Sequence, residues 1–436
     1  MPNCFGVGKD SCLSKPDFDE LSQFVHYTGR LFRLNLLASS VFLDWRFDPV
    51  IPTRAVGLTF LLGEVAKIPS LLQLQSETHL PQWQQWVGYA HPISDDTLSY
   101  VSERMDPGQV RQGVIWINRK LKRGKAFEAS KVNGLLAVSL DANEQFCSDR
   151  RCCTECSTRE ITRQDADGLP VKHLQYFHRQ VYAQLSGPRL SVILDLEPMR
   201  PGEEECATAL RLLQRMRTKY GPRFFDLVVV DAWYTKGPFL KAVVEMGWPV
   251  IAVLKQERYG IHQETLALVQ RQRPTETVER DGRKVEIWDL AQMTFTDTYA
   301  EPVRVVRARE TYRQRQRIGG QWVTEDKEQN WIWIVAGNLD GYLGSVIRDW
   351  GHLRWKIENN AFNELTQGWH LTHCAHHHPV ALQVLLWIKI MAFTLFHAFV
   401  ILHGKLFRLG KVTIQELRQR IYRSLLCGQT PPFFSG

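Results

Sequence analysis

The run Phe224-Phe-Asp-Leu-Val-Val-Val-Asp231 constrains the chain more than any other stretch. Leu227 to Val230 is apolar without alternation, the pattern of a strand covered on both faces, as in the parallel part of an α/β sheet. Ala232 to Pro238 breaks the strand. Phe239, Leu240, Val243, Val244 and Met246 form the apolar face of a short helix, and Pro249 to Leu254 is a second buried strand. The three make a β-α-β unit. Ligands gather at the carboxyl ends of the strands in such units, where Asp231 stands, so that acid is placed for a metal or a proton rather than for packing.

Upstream, the pattern divides the chain. Residues 1–28 are polar and weakly patterned, which predicts a flexible arm. Residues 29–126 read as a helical, DNA-binding domain: Leu58, Leu61, Leu62, Val65 and Ile68 fall at helical spacing before Pro69, and Pro92 to Leu98 looks like a capped helix start. Val114, Ile115, Ile117 and Leu121 mark a further helix ending in the basic run Arg119 to Lys125, which is equally the solvated end of a helical bundle. From Gly134 the chain turns extended. Leu135 to Leu140 is a buried strand closed by Asp141, His173 to Leu185 is a second strand, and Arg189 to Leu194 is a third, closed by Asp195. A helix over Glu203 to Tyr220 precedes the Asp231 strand. Three strands, a helix, a strand, a helix and a strand is the order of a ribonuclease H-like fold. The chain is therefore expected to be α/β, a mixed sheet flanked by helices, with its core split between residues 134–256 and 338–403. Between the two parts, residues 257–337 read as an all-β insertion with strands over Thr277 to Asp289, Val303 to Tyr312 and Gln321 to Ala336, and residues 404–436 read as a helical tail.

Three acids compete for a site. With the first strand central, Asp141 and Asp231 end on neighbouring strands roughly 5 Å apart and share a metal. Asp195, closing the outermost hairpin strand, and Glu197 beside it stand farther off. The third carboxylate is expected from a helix over Ser345 to Gln367, whose inward stripe is Ile347, Trp350, Arg354, Ile357, Ala361 and Leu365. Glu358 lies at the edge of that stripe. Arg354, four residues earlier, is its partner or holds a phosphate, and Glu364 is a rival acid expected to face solvent.

The formal charge of +8, from 54 basic against 46 acidic residues, favours a polyanionic partner. Nine cysteines and an amino terminus without a signal pattern point to a reducing cytoplasm. Cys147, Cys152, Cys153 and Cys156 bunch together; Cys147, Cys153 and Cys156, with His173 or His178, are candidate ligands of a structural zinc, although one C-x-x-C lacks a second pair and buried thiols are the default. Val380 to Leu402 is long enough to span a bilayer, but it carries Lys389 and His397 and reads as a buried core helix, so no membrane is expected.

Ser139-Leu-Asp141, Val229-Val-Asp231-Ala-Trp-Tyr234 and Arg354-Trp-Lys-Ile-Glu358-Asn-Asn-Ala-Phe362 together resemble the signature of insertion-sequence transposases with a DDE catalytic domain, in particular the group with a β-rich insertion before the catalytic Glu. The group's glutamate motif runs Tyr, two residues, Arg, three residues, Glu, six residues, Lys. Arg354 and Glu358 match it, whereas Gly351 stands in place of the tyrosine and Leu365 in place of the lysine. The resemblance implies that Asp141, Asp231 and Glu358 hold two Mg²⁺ (or Mn²⁺) ions, hard cations suited to oxygen ligands. It implies cutting at transposon ends, joining of 3′ ends to target DNA, double-stranded DNA as partner and a homodimer on DNA. Arg354, Lys356, Trp331, Trp333, Arg313 and Arg315 are the expected DNA contacts, the last two within a basic run from Arg304 to Arg317. Two other readings keep the same fold: a structure-specific, metal-dependent nuclease and a catalytically inactive DNA-binding derivative.

Overall fold

The computed structural model describes residues 20–403 and 413–427. Its amino-terminal third is helical: α1 (Glu20–Phe32), α2 (Leu34–Val41), α3 (Thr53–Ala66), α4 (Leu71–Thr78), α5 (Pro81–Val87), α6 (Asp95–Ser102) and α7 (Pro107–Arg123). Helix α1 corrects the expectation of a loose arm over residues 1–28, because Leu21, Phe24 and Val25 are buried in the core. Residues 1–19 of that arm lie outside the described residues. The helix starts follow local chemistry. Ser94 caps α6 by accepting from the Thr97 amide, and Asp106 caps α7 by accepting from the Gly108 and Gln109 amides, with Pro107 in the first turn.

The sheet is built from β1 (Ala137–Ser148), β2 (Ser157–Gln164), β3 (Pro170–Ser186), β4 (Val192–Pro198), β5 (Leu227–Val230), β6 (Val250–Val253), β7 (Glu276–Arg280), β8 (Arg283–Met293), β9 (Val303–Ile318) and β10 (Gln321–Ala336). Helix α8 (Glu205–Tyr220) joins β4 to β5, α9 (Gly237–Glu245) joins β5 to β6, and α10 (Gly260–Arg271) follows β6. Strand order is β2-β3-β1-β5-β6-β10-β9-β8-β7, with β4 paired to β3. Strands β1, β5 and β6 are parallel and the rest of the ladder is antiparallel. This is the ribonuclease H-like order, with β1 central.

Two features depart from the expected layout. The insertion is not a separate β module: β10 pairs with β6 from Trp333 opposite Val253 to Ala336 opposite Val250, so its strands extend the core sheet, and it opens with helix α10. Strand β2, which the pattern did not reveal, pairs with the outer half of β3. It carries Arg159, Glu160, Arg163 and mostly exposed positions, so no buried face marks it in the sequence. The insertion's turns follow their residues. Asp281 and Gly282 have φ of 51° and 71°, and Gly319 and Gly320 have 57° and 87°, the left-handed pairs that two-residue hairpins need.

After β10 come α11 (Gly344–His352), a π-helical stretch (Ile357–Phe362), α12 (Asn363–Trp369), α13 (Pro379–Leu402) and, past residues 404–412, α14 (Ile414–Cys427). Residues 404–412 and 428–436 of the expected tail lie outside the described residues. Helix α13 packs on α3 and α7 and is buried along most of its length. Its polar members are paired inside the protein: Lys389 Nζ lies 2.7 Å from both Glu64 carboxylate oxygens and donates to the Trp369 carbonyl, and His397 Nε2 lies 2.7 Å from Glu364. An apolar helix with neutralised charges and a protein surround is a core helix. The same pairing corrects Glu364, which meets His397 rather than open solvent.

The two faces of the sheet carry different helices. Val138, Leu140, Val228 and Val230 face the core shared with α7, α8, α9 and α13, whereas Ala137, Leu227 and Val229 face the core shared with α11. Alternation therefore turns Ser139 and Asp141 toward the α11 side.

Candidate active site

Strands β1 and β5 run parallel with Val138 opposite Val228 and Ser139 opposite Val229. Two residues further on each, the register brings Asp141 and Asp231 level at neighbouring strands. Asp231 closes β5 and its Oδ1 accepts from the Trp233 amide at 2.8 Å, which fixes the carboxylate at the start of a 3₁₀ turn. Asp141 Oδ1 accepts from the Ala142 amide at 2.8 Å.

Glu358 arrives from a helix that is broken rather than continuous. The helix expected over Ser345 to Gln367 ends as α11 at His352, turns at Leu353 and Arg354, and resumes in the π-helical stretch that holds Glu358. Side chains of the sheet account for the break. Ser139 donates to the Leu353 carbonyl at 3.3 Å, Gln184 of β3 donates to the Lys356 carbonyl at 3.5 Å, and Lys356 Nζ reaches back to the Gly187 carbonyl at 2.9 Å. Carbonyls that would accept within the helix are thus engaged by the sheet, the usual origin of a local π-distortion.

Arg354, 4% exposed, ties the acids together. Its Nη1 lies 2.5 Å from Glu358 Oε1 and 3.9 Å from Asp141 Oδ2, so one guanidinium nitrogen spans two of the three carboxylates. Asp141 is pushed up to about 7, first by burial, then by the negative charges of Asp231 and Glu358, with the Ala142 amide and Arg354 opposing. The three carboxylates therefore lie within electrostatic reach of one another, and their oxygens are the donor type that a hard divalent ion takes. Glu205 adds a fourth acid nearby. It is buried in the first turn of α8 and ion-paired to Arg179 at 2.8 Å. Burial raises its carboxyl, Tyr234 and Arg179 lower it, and the charge of Asp231 raises it. In the sequence it is indistinguishable from an ordinary first-turn helix acid.

Asp195 and Glu197 belong elsewhere. Asp195 is fully buried on Arg215 at 2.9 Å and near Arg111 at 3.8 Å, and Glu197 pairs with Arg211 and Arg215. Both acids are spent on holding α7 and α8 to β4.

The expected DNA contacts separate by exposure. Arg354 is enclosed among the acids, and Lys356 is bound to the Gly187 carbonyl, so neither presents a free charge to a phosphate in this conformation. Trp333 is 1% exposed and is packed parallel to Trp331, ring centroids 6.0 Å apart, with His352 edge-on to both. Trp331 is only partly buried and meets Trp355 at 6.1 Å. The Trp333 ring also explains Gly351: a Cβ there would overlap the indole, so the tyrosine of the related motif has no room. Arg313 and Arg315 lie on the outer half of the β9–β10 hairpin, Arg313 paired with Asp326 across the strands and Arg315 over the Trp322 ring. Arg304 and Arg309, nearer the core, are taken up by Asp289 and Glu286. Among the cysteines, Cys147 is exposed on β1, while Cys153 and Cys156 meet His178 and His377.

The strand order defines a ribonuclease H-like domain, with Asp141 inside β1, which runs on to Ser148 rather than ending at that acid as expected, Asp231 at the end of β5, and Glu358 on the broken helix. Residues 181–395 match the family model described as the transposase DDE domain, so the chain carries a transposase DDE domain that includes its β-rich insertion. The matched stretch contains Asp231 and Glu358; Asp141 lies upstream of it, and its place beside them rests on the β1–β5 register. Compared with curated protein sequences, the chain matches none. A solved structure of the piggyBac transposase, a synaptic complex with hairpin DNA, is similar over 94% of this chain and 80% of that one, at 11% identity and a TM-score of 0.42.

Proposed function

We propose that the chain is a DNA transposase that cuts at the ends of an insertion sequence and joins the 3′ ends to target DNA, with Asp141, Asp231 and Glu358 holding two Mg²⁺ or Mn²⁺ ions. The observation that carries the reading is the convergence on Asp141 of two acids far from it in sequence, Asp231 through the β1–β5 register and Glu358 through a shared arginine. The ions, when bound, activate the attacking oxygen and stabilise the leaving oxygen of an in-line displacement. The chain's own residues do the rest. The β1–β5 register fixes the spacing of two carboxylates. Ser139 and Gln184 hold the helix break that presents the third. Arg354 balances the acids before any cation arrives and keeps Glu358 turned toward Asp141.

DNA is the partner, engaged by two copies of the chain in the cytoplasm of a bacterial cell. Trp331 and Trp355 form the accessible edge of the aromatic block beside Arg354, suited to stacking an unpaired base, while Trp333 and His352 support them from beneath. Arg313 and Arg315, on the projecting hairpin, are placed to track a phosphate backbone.

The test is nicking and joining of duplex DNA bearing the inverted repeats that flank the reading frame, with Mg²⁺ supplied. Wild type should nick at the repeat ends and join 3′ ends to a second duplex. Asp141→Asn, Asp231→Asn and Glu358→Gln should each lose roughly a thousandfold, about 4 kcal/mol of barrier. Cleavage with no preference for the repeats and no joining would make the chain a nuclease. Undiminished nicking by the three variants would remove the acids from the reaction.

A further inference from the structure

Four side chains outside the acid cluster converge on one point. Cys153 and Cys156 lie in the turn between β1 and β2, His178 on β3, and His377 in the connection between α12 and α13. Their ligand atoms all lie within 4.8 Å of one another. The sulfurs are 3.6 Å apart, His178 Nε2 is 3.3 Å from the Cys153 sulfur and 3.2 Å from that of Cys156, and His377 Nε2 is 3.6 Å from the Cys156 sulfur. A tetrahedral zinc ion with its ordinary bond lengths requires roughly 3.8 Å between sulfurs and roughly 3.5 Å between sulfur and nitrogen. The cluster has close to those dimensions.

We infer that Cys153, Cys156, His178 and His377 bind a structural zinc ion. Each alternative leaves something unexplained. A disulfide would use only the two sulfurs, at a separation of about 2.05 Å, and would give no reason for two imidazoles to point at them. A packed apolar thiol cluster would not draw in two ring nitrogens. The turn also aims a donor at one sulfur: the Cys153 amide donates to the Cys156 sulfur at 3.3 Å, while the Cys156 amide donates to the Cys153 carbonyl at 3.1 Å and closes the turn. Such an amide donor stabilises a thiolate. Four protein ligands close the coordination shell, which makes the site structural.

The ion would fasten the β1–β2 turn and β3, already joined by their ladders, to the connection that bears His377. The connection bearing His377 follows the Glu358 segment and α12, and its neighbour His376 bonds Glu103 at 2.7 Å and lies 3.2 Å from the Ser99 hydroxyl, both at α6. The zinc would therefore lock the β1–β2 turn, downstream of Asp141, to the linker that joins the catalytic segment to the helical layer.

Metal content of the purified full chain, grown with zinc, tests the site. Wild type should carry about one zinc per chain. Cys153→Ser with Cys156→Ser, and separately His377→Ala, should fall to a small fraction of that, whereas Cys147→Ser and Asp141→Asn should keep it. Cobalt exchanged into wild type should show thiolate-to-cobalt charge transfer and a tetrahedral spectrum, a readout that survives if the variants fail to fold. Wild type free of zinc and giving no such spectrum would overturn the inference. So would zinc retained by the double cysteine variant, or lost with Asp141→Asn, which would put the ion at the acid cluster. Loss of DNA cleavage with zinc intact would count against the transposase reading alone.

Discussion

Replacing Asp141 by Asn should stabilise the metal-free protein while abolishing its response to magnesium. The Asp141 carboxyl is raised from an ordinary 3.8 to about 7 by burial and by Asp231 and Glu358. Between those two values the folded chain keeps a proton that the unfolded chain has released, so the unfolded state binds fewer protons and stability falls as pH rises. The loss is complete above about pH 7. Three units correspond to a ceiling of roughly 4 kcal/mol, and relaxation of a side chain that is 16% exposed reduces this to about 2 kcal/mol. Asn has the same shape and an oxygen that can still accept from the Ala142 amide. At about pH 8 in chelator the variant should melt roughly 2 °C above wild type, and the gap should close toward about pH 4. Added Mg²⁺ should raise the wild-type midpoint and leave the variant's nearly still. Thermal unfolding at several pH values, with chelator and with Mg²⁺, measures all of this. A variant less stable than wild type at pH 8, or one that Mg²⁺ stabilises as well as wild type, would refute the reasoning that these acids repel one another until a cation joins them.

Two other perturbations test the scaffold. Gly351→Ala should cost about 1–3 kcal/mol in denaturant unfolding, because its Cβ would overlap the Trp333 indole, and pairing it with Trp333→Leu should recover part of the loss. Lys389→Met should cost about 3–5 kcal/mol by leaving the Glu64 carboxylate without its buried partner, whereas Glu64→Leu with Lys389→Leu should cost much less.

The central parallel strands and their connecting helix were legible because they are short, apolar and punctuated: Leu227 to Val230 needs no partner information to read as buried. Asp141 and Asp231 were legible for the same reason, as charges that end apolar runs. Strand β2 was not, since a strand whose side chains are mostly exposed leaves no hydrophobic period. The break before Glu358 was not, since its cause is Ser139 and Gln184 on remote strands. Lys356 looked like a DNA contact because the sequence shows a lysine but not the Gly187 carbonyl that occupies it. Nothing in the sequence marks His377 as a companion of Cys153 and Cys156, because its sulfur neighbours lie more than two hundred residues upstream.

These misses share a cause that also explains the site. Strands β1 and β3 supply more than the ladder between them. On β1, Ser139 bonds the carbonyl at the break in the Glu358 helix, and Asp141, two residues on and on the same face, meets Arg354 from that break. On β3, Gln184 bonds the next turn of the same segment, and His178, on the outer half of the strand, meets His377 beyond it. A one-residue slip of β3 against β1 would turn Gln184 and His178 to the opposite face and release the segment at both points. The position of the third acid is therefore set less by its own helix than by the register of β3 against β1.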